Sequence, residues 1–250
     1  MTESAHHDKP GLTVFPDSAE LCRAAAREFF STAKASMTAS GRFTVALSGG
    51  NTPRNVYSLI AEQSTDALAW NKIFVFFGDE RSVPPGDTQS NYRMANESLL
   101  SRVPIPRQNV FRVAAELPPE HAAQEYENSL REFFQLAPNA LPRFDLVLLG
   151  MGEDGHTASL FPGSPALTES SRLVVSNWIE KFKTYRITFT FPVLNAAAEV
   201  LFLVSGVQKA AVLREVFASQ NRAAYPSQLV RPRNGRLLWL ADRQAASQLK

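Results

Sequence analysis

Glu153, Asp154 and His156 stand in one short loop, Gly150-Met-Gly-Glu-Asp-Gly-His156, directly after the apolar run Leu146-Val-Leu-Leu149. Histidine titrates near neutral pH, and an acid beside it makes it a candidate general base. The run before the loop is continuous rather than alternating, so it reads as a strand buried on both faces. A histidine in a glycine-rich loop at the carboxyl end of such a strand stands where open α/β sheets hold their ligands. The glycines allow a sharp turn and close approach of a ligand to the backbone. The same features suit a bare tight turn carrying a solvated histidine, so the rest of the chain has to decide.

A second candidate is Ser48-Gly-Gly-Asn-Thr-Pro53, which follows the predicted strand 43–47. Thr52 suits a helix N-cap and Pro53 the first helical position, with Val56, Leu59 and Ile60 continuing the helix. A strand, a glycine turn and a helix N-terminus aim free N–H groups and the helix dipole at one spot, which suits an anion. The segment lacks the Gly-Lys-Ser/Thr ending of a Walker A loop and is not G-x-G-x-x-G. A phosphate ester smaller than a dinucleotide fits it; a tight turn without a ligand is the other reading. Gly78-Asp79-Glu80-Arg81 follows a third apolar run, 73–77, and reads as a charged loop. Strand ends at 47, 77 and 149 all lead into glycine and polar groups, and in a parallel sheet they converge on one edge.

Two more cations belong with these loops. Arg186-Ile-Thr-Phe-Thr-Phe191 alternates strictly and predicts a strand with Arg186, Thr188 and Thr190 on one face. Lys209 falls in the first turn of the helix predicted after strand 200–204 and Ser205-Gly206. A cation there opposes the helix dipole, and a phosphate ligand would turn that penalty into binding.

The elements that must position these groups follow from spacing. Residues 12–15 predict a short strand, and Asp17 with Glu20 predicts a capped helix whose stripe includes Leu21, Cys22, Ala25, Phe29 and Met37. Ser90 and Asn91 open a helix running to Leu100, residues 110–113 read as a short strand, and Pro118 and Pro119 introduce a helix that Pro138 and Pro142 end. A short run at 173–175 precedes a polar, aromatic stretch, 178–185. Residues 237–240 make the last strand, and Asp242 caps a C-terminal helix. Alternating strands and helices without an internal repeat or composition break predict one α/β domain over 11–250 behind a loose tail, 1–10. His6 and His7 lie in that tail and suit a flexible end better than a metal site.

The chain has 250 residues and a net charge of +2, so it carries no basic tract for nucleic acid or anionic lipid. Cys22 is the one cysteine, so no intramolecular disulfide forms, and its helical stripe predicts packing rather than reactivity. The first nine residues are polar, and no apolar run is long enough to span a bilayer. A cytoplasmic protein is expected.

Taken together, Leu47-Ser-Gly-Gly-Asn-Thr-Pro53, Gly78-Asp-Glu-Arg-Ser-Val-Pro84 with Ser90-Asn-Tyr92, Leu149 through Gly163, Arg186-Ile-Thr-Phe-Thr with Leu194-Asn-Ala196, Gly206 with Lys209-Ala210, and 235–242 resemble the 6-phosphogluconolactonase family. The resemblance implies a doubly wound, Rossmann-like, mostly parallel sheet with helices on both faces, shared with amino-sugar-phosphate isomerases. It implies hydrolysis of 6-phosphogluconolactone in the pentose phosphate pathway, with no metal and no organic cofactor; separately, a monomer is expected. His156 is then base on water and acid to the ring oxygen, and Asp154 orients it or binds sugar hydroxyls. Gly49, Gly50 and Thr52 hold the 6-phosphate with Arg186 and Lys209, Ser48 and Asp79 join the substrate-binding set, and Arg81 meets either the phosphate or the oxyanion. The chain departs from the family at Lys181-Phe-Lys-Thr184, where Lys-Pro-Pro is common.

Three rivals are open to the sequence. A glucosamine-6-phosphate isomerase/deaminase resembles the chain through Gly-x-Asp-Gly-His, but such enzymes continue Phe-Asn-Glu-Pro where this chain reads Ser159-Leu-Phe-Pro162. Phe161 thus takes the place of a proton-transferring acid. A silent sugar-phosphate sensor would need no base such as His156. A metal hydrolase would have to use Asp79, Glu80, Asp154 and His156, which lack the spacing of common zinc sites.

Overall fold

Each central strand sends alternate side chains into two separate hydrophobic layers, and that alternation builds the molecule. The structure is a computed structural model that describes residues 11–63, 68–218 and 225–249. The tail expected at 1–10, with His6 and His7, lies outside the described residues. One sheet is parallel throughout, in the order β1 (Leu12–Phe15), β9 (Arg236–Asp242), β8 (Glu199–Val204), β5 (Leu146–Gly150), β2 (Phe43–Leu47) and β3 (Ile73–Phe77). Phe43, Val45, Leu47, Leu146 and Leu148 point to the layer that holds α1 (Ser18–Ser40), α2 (Asn51–Gln63) and α3 (Asn91–Ser98). Ala46, Val147, Leu149 and Phe202 point to the other, with α4 (Pro119–Phe133), the short α5 (Phe191–Leu194) and α6 (Ala210–Ala218). This is the doubly wound α/β sheet expected, in one domain. The chain leaves β2 toward β3 on one side and returns through β5 on the other, so a crevice opens at the carboxyl ends of β2 and β5.

A second sheet was not legible. β4 (Asp79–Arg81), β7 (Thr184–Phe189) and β6 (Val174–Ile179) form an antiparallel ladder beside α4. The charged segment expected as a loop is therefore an edge strand, with Asp79 opposite Thr188 and Arg81 opposite Arg186. The aromatic stretch 178–185 is the hairpin end of β6 and β7. Thr190 leaves the strand: its hydroxyl donates to the Arg172 carbonyl (2.8 Å), and it precedes α5.

Four further expectations change. α2 starts at Asn51, and the Gly50 carbonyl accepts from the Arg54 N–H at 3.1 Å, so Thr52 and Pro53 sit inside the first turn rather than at the cap. Lys209 ends a 3-10 turn, 207–209, one residue before α6. Val110 makes only an isolated bridge to Val75. Among the described residues no C-terminal helix follows Asp242; β9 extends to that residue, and residues 243–248 wind as turns. By contrast Asp17 caps α1 as expected, accepting from the Glu20 N–H at 2.8 Å. No helix among the described residues is long and apolar enough to cross a membrane.

Candidate active site

The crevice is a cleft of about 350 Å³. Ser48, Gly49, Gly50 and Thr52 line it from the β2 loop, Asp79 and Arg81 from β4, and His156 from the β5 loop. Lys209 reaches it from the turn after β8. Asp154 and Arg186, also singled out from the sequence, are not among the residues that line it.

Asp154 stands behind the histidine. Its Oδ1 is hydrogen-bonded to Nδ1 of His156, and the His156 backbone N–H also reaches that oxygen, at 3.3 Å. Lys181 places Nζ 3.7 Å from Oδ2. Burial works to raise the Asp154 carboxyl, but the histidine hydrogen bond and charge, with help from Lys181, outweigh it and hold the group well below the usual carboxylate range. A carboxylate can only accept, so Nδ1 carries the proton and Nε2 is the ring nitrogen left for a water. The imidazole is held on two further sides. Phe161 stacks on it with centroids 3.9 Å apart and planes 20° apart. Gly152 passes so close that a Cβ there would lie 2.0 Å from Nδ1, which excludes any side chain.

The turn after His156 is pinned to the second sheet. Ser159 Oγ donates to Asp79 Oδ2 (2.7 Å), its N–H reaches Thr188 Oγ1 (3.2 Å), and its carbonyl accepts from Asn177 Nδ2 (2.8 Å). These bonds hold Ala158, which lines the cleft, in the left-handed region at φ 47. A side chain there is strained by about 1 kcal/mol or more, the kind of strain that collects at functional sites. Asp79 Oδ1 accepts from Asn91 Nδ2 at 3.2 Å, and the Asn91 amide crosses over Gly49, where a Cβ would meet its Oδ1 at 1.9 Å. Glu80 is buried and caps α3, accepting the N–H groups of Asn91 (2.7 Å) and Tyr92 (2.8 Å) and the Ser90 hydroxyl. Burial pushes its carboxyl up against those bonds. Among the described residues no three His, Cys, Asp or Glu side chains gather as a metal site.

The cationic side is short of partners. Arg81 gives Nη1 to the Gln89 carbonyl, but its Nε is buried with no hydrogen-bond partner among the described residues. Arg186 Nε is likewise buried and unpartnered, as is the hydroxyl of Ser48 in the cleft wall. Burial and the Arg81 charge opposite it both push the Arg186 guanidinium down from its usual range. Lys209 makes no side-chain hydrogen bond or ion pair with the described residues, and the turn that presents it is tied down by Asp242. That carboxylate accepts the Ser205 hydroxyl and the Gly206 N–H (3.1 Å).

Sequence reasoning missed Asn91 and Ala158 as cleft residues, Ser159 as the tie to Asp79, and Asp242 as the anchor of the turn that presents Lys209. The sequence marks Asn91 as a helix start and as part of the Ser90-Asn-Tyr92 segment, with no role in the cleft. Ala158 carries no side-chain chemistry, and its left-handed backbone leaves no mark in the residue type.

The family described as glucosamine-6-phosphate isomerases/6-phosphogluconolactonase matches residues 16–239. The chain is 47% identical to 6-phosphogluconolactonase of Synechocystis sp. over 212 residues, 84% of this chain and 86% of that protein. It is 43% identical to 6-phosphogluconolactonase of Nostoc sp. over 243 residues, 96% of this chain and 99% of that one. The solved 6-phosphogluconolactonase of Trypanosoma brucei superposes with a TM-score of 0.87 at 30% identity, covering 97% of this chain and 99% of its own.

Proposed function

The chain belongs to the glucosamine-6-phosphate isomerase/6-phosphogluconolactonase family and is a lactone-hydrolysing enzyme, and we propose that it converts 6-phospho-D-glucono-1,5-lactone to 6-phospho-D-gluconate, in the oxidative pentose phosphate pathway, with His156 as base and acid. The carrying observation is the Asp154–His156 pair, which leaves Nε2 as the free ring nitrogen of a histidine in the cleft wall. In this reading Nε2 takes a proton from water as the water oxygen bonds to C1 of the lactone. The carbonyl electrons move onto its oxygen. Collapse of that tetrahedral oxyanion breaks the bond from C1 to the ring oxygen, and the imidazolium returns its proton to that oxygen as it leaves. Asp154 fixes the tautomer and the orientation of the ring.

The 6-phosphate goes to Gly49, Gly50 and Thr52 at the start of α2, with Lys209 beside them and Arg186 supplying charge from behind. Ser48 and the unpartnered Nε atoms of Arg81 and Arg186 support an anionic ligand, because buried donors without partners are rare. Asp79 has both oxygens engaged by Asn91 and Ser159, which supports a role in shaping the pocket around the sugar.

Phe161 argues against the deaminase reading. Its buried ring lies on His156, where a second proton-transferring acid would be needed. The test is a paired assay. Freshly made 6-phosphogluconolactone should be hydrolysed well above its spontaneous rate, and glucosamine 6-phosphate should yield no ammonia or fructose 6-phosphate. Robust ammonia release by the unmodified protein moves it to the isomerase branch.

A further inference from the structure

Phe182 is 47% exposed, and it belongs to neither hydrophobic layer. It sits in the turn that joins β6 to β7, beyond the last paired residues, Ile179 and Thr184. Lys183 closes the turn in the left-handed region, at φ 48. The ring faces the site. Its centroid lies 5.6 Å from Arg186 Cζ and 5.9 Å from the Phe161 ring, which it meets edge to face at 79°.

Arg186 needs such a support. No carboxylate among the described residues forms an ion pair with it, its Nε has no partner, and the Arg81 charge opposite it in the ladder outweighs either of the more favourable Asp79 and Glu80 charges. A long side chain under like-charge repulsion will spread over many rotamers unless something fixes it. The negative face of an aromatic ring attracts a guanidinium without neutralising it, so the charge stays available to a ligand.

We propose that Phe182 is a positioning residue that holds the Arg186 guanidinium ready for the phosphate of the substrate. This rests on the phosphate-binding reading of Arg186 given above. The Asp154–His156 hydrogen bond and the Phe161–His156 stack do not themselves include Phe182, although its ring also touches Phe161 and lies 5.5 Å from Lys181 Nζ, so the main effect is expected on substrate capture rather than turnover.

The experiment measures kcat, KM and Tm for Phe182→Ala, Phe182→Leu and Phe182→Tyr, and repeats Phe182→Ala in an Arg186→Ala background. Phe182→Ala is expected to raise KM for 6-phosphogluconolactone about fivefold, with kcat within about twofold and Tm unchanged. Tyr restores KM because it keeps a π face, whereas Leu, of comparable bulk, does not. With Arg186 already removed, Phe182→Ala adds nothing. Unchanged KM in Phe182→Ala, full rescue by Leu, or an equal effect without Arg186 overturns the proposal. If Arg186→Ala itself leaves KM unchanged, the phosphate reading falls and this proposal falls with it.

Discussion

The histidine side and the arginine side of the cleft solve opposite problems. His156 and Asp154 are each more than a quarter exposed, yet every polar atom facing the protein is matched. Arg81 and Arg186 bury their Nε atoms more deeply and leave them unmatched. Water could satisfy the first pair cheaply, but the protein has done so instead, which fixes tautomer and ring orientation before any substrate arrives. Water cannot reach the two Nε atoms, and no carboxylate among the described residues forms an ion pair with either arginine, although Asp79 and Glu80 act on Arg186 from a distance. One half of the site is complete in itself, and the other is completed by its ligand.

Removing the complete half should have the largest effect. His156→Asn keeps a polar side chain of similar shape but abolishes proton transfer, so kcat should fall by about 10²–10⁴-fold, the usual worth of a positioned acid/base. Affinity for 6-phosphogluconate, measured by titration calorimetry, should change little, because the anion is held by the other half. Near-normal turnover would remove His156 from the mechanism.

Removing the incomplete half should reverse that pattern. Lys209→Ala or Arg186→Ala should weaken binding of the phosphorylated lactone by roughly 1.5–3 kcal/mol, as for a charged hydrogen bond. Hydrolysis of unphosphorylated gluconolactone should be nearly unchanged. Equal losses on both substrates would mean that these residues support the fold, and the contrast between the two halves would dissolve.

The two halves also differed in how far they could be read in advance. His156 and Asp154 are two residues apart, so one loop carries the whole arrangement and its chemistry is visible in order along the chain. The parallel strands were visible for a similar reason, since strands buried on both faces read as unbroken apolar runs. The arginine side depends on pairing between segments about a hundred residues apart. A three-residue strand of Asp, Glu and Arg has no apolar alternation to announce it, and only the ladder to β7 makes it one. Asp242 misled for a related reason. It accepts the Ala245 N–H at 2.7 Å, as a helix cap would, but its carboxylate also anchors the Ser205–Gly206 turn and so supports Lys209. Local signals name the cap; the second role appears only in three dimensions.

A buried polar atom without a partner does not by itself mark a ligand site, and Glu199 sharpens that limit. It lies at the amino end of β8, across the sheet from the cleft, and its Oε1 is buried and unpartnered. Its Oε2 lies 3.3 Å from Arg236 Nη1, and Arg236 is shared with Glu28. Burial, with the Glu28 charge beside it and Arg236 only partly opposing, pushes the Glu199 carboxyl up to about 7. The upward shift points to a proton held against the neighbouring Glu28 carboxylate, rather than a ligand, as the answer to the missing partner. The sign follows from linkage: a folded-state pKa above the unfolded one gives stability that is full below the unfolded pKa of about 4.5 and is lost as pH rises through about 7. Glu199→Gln removes this titration. Denaturant unfolding should therefore show the variant gaining on the parent between about pH 5 and pH 8, by on the order of 1–3 kcal/mol. Lactonase activity should be unchanged, since no residue of the cleft touches this end of β8. Parallel stability curves for the two proteins would mean that Glu199 ionises normally, and that the buried orphan atom is tolerated in some other way. A loss of activity with unchanged stability would mean that orphan atoms at both ends of the sheet serve the site, and that the arginines are not special on that account.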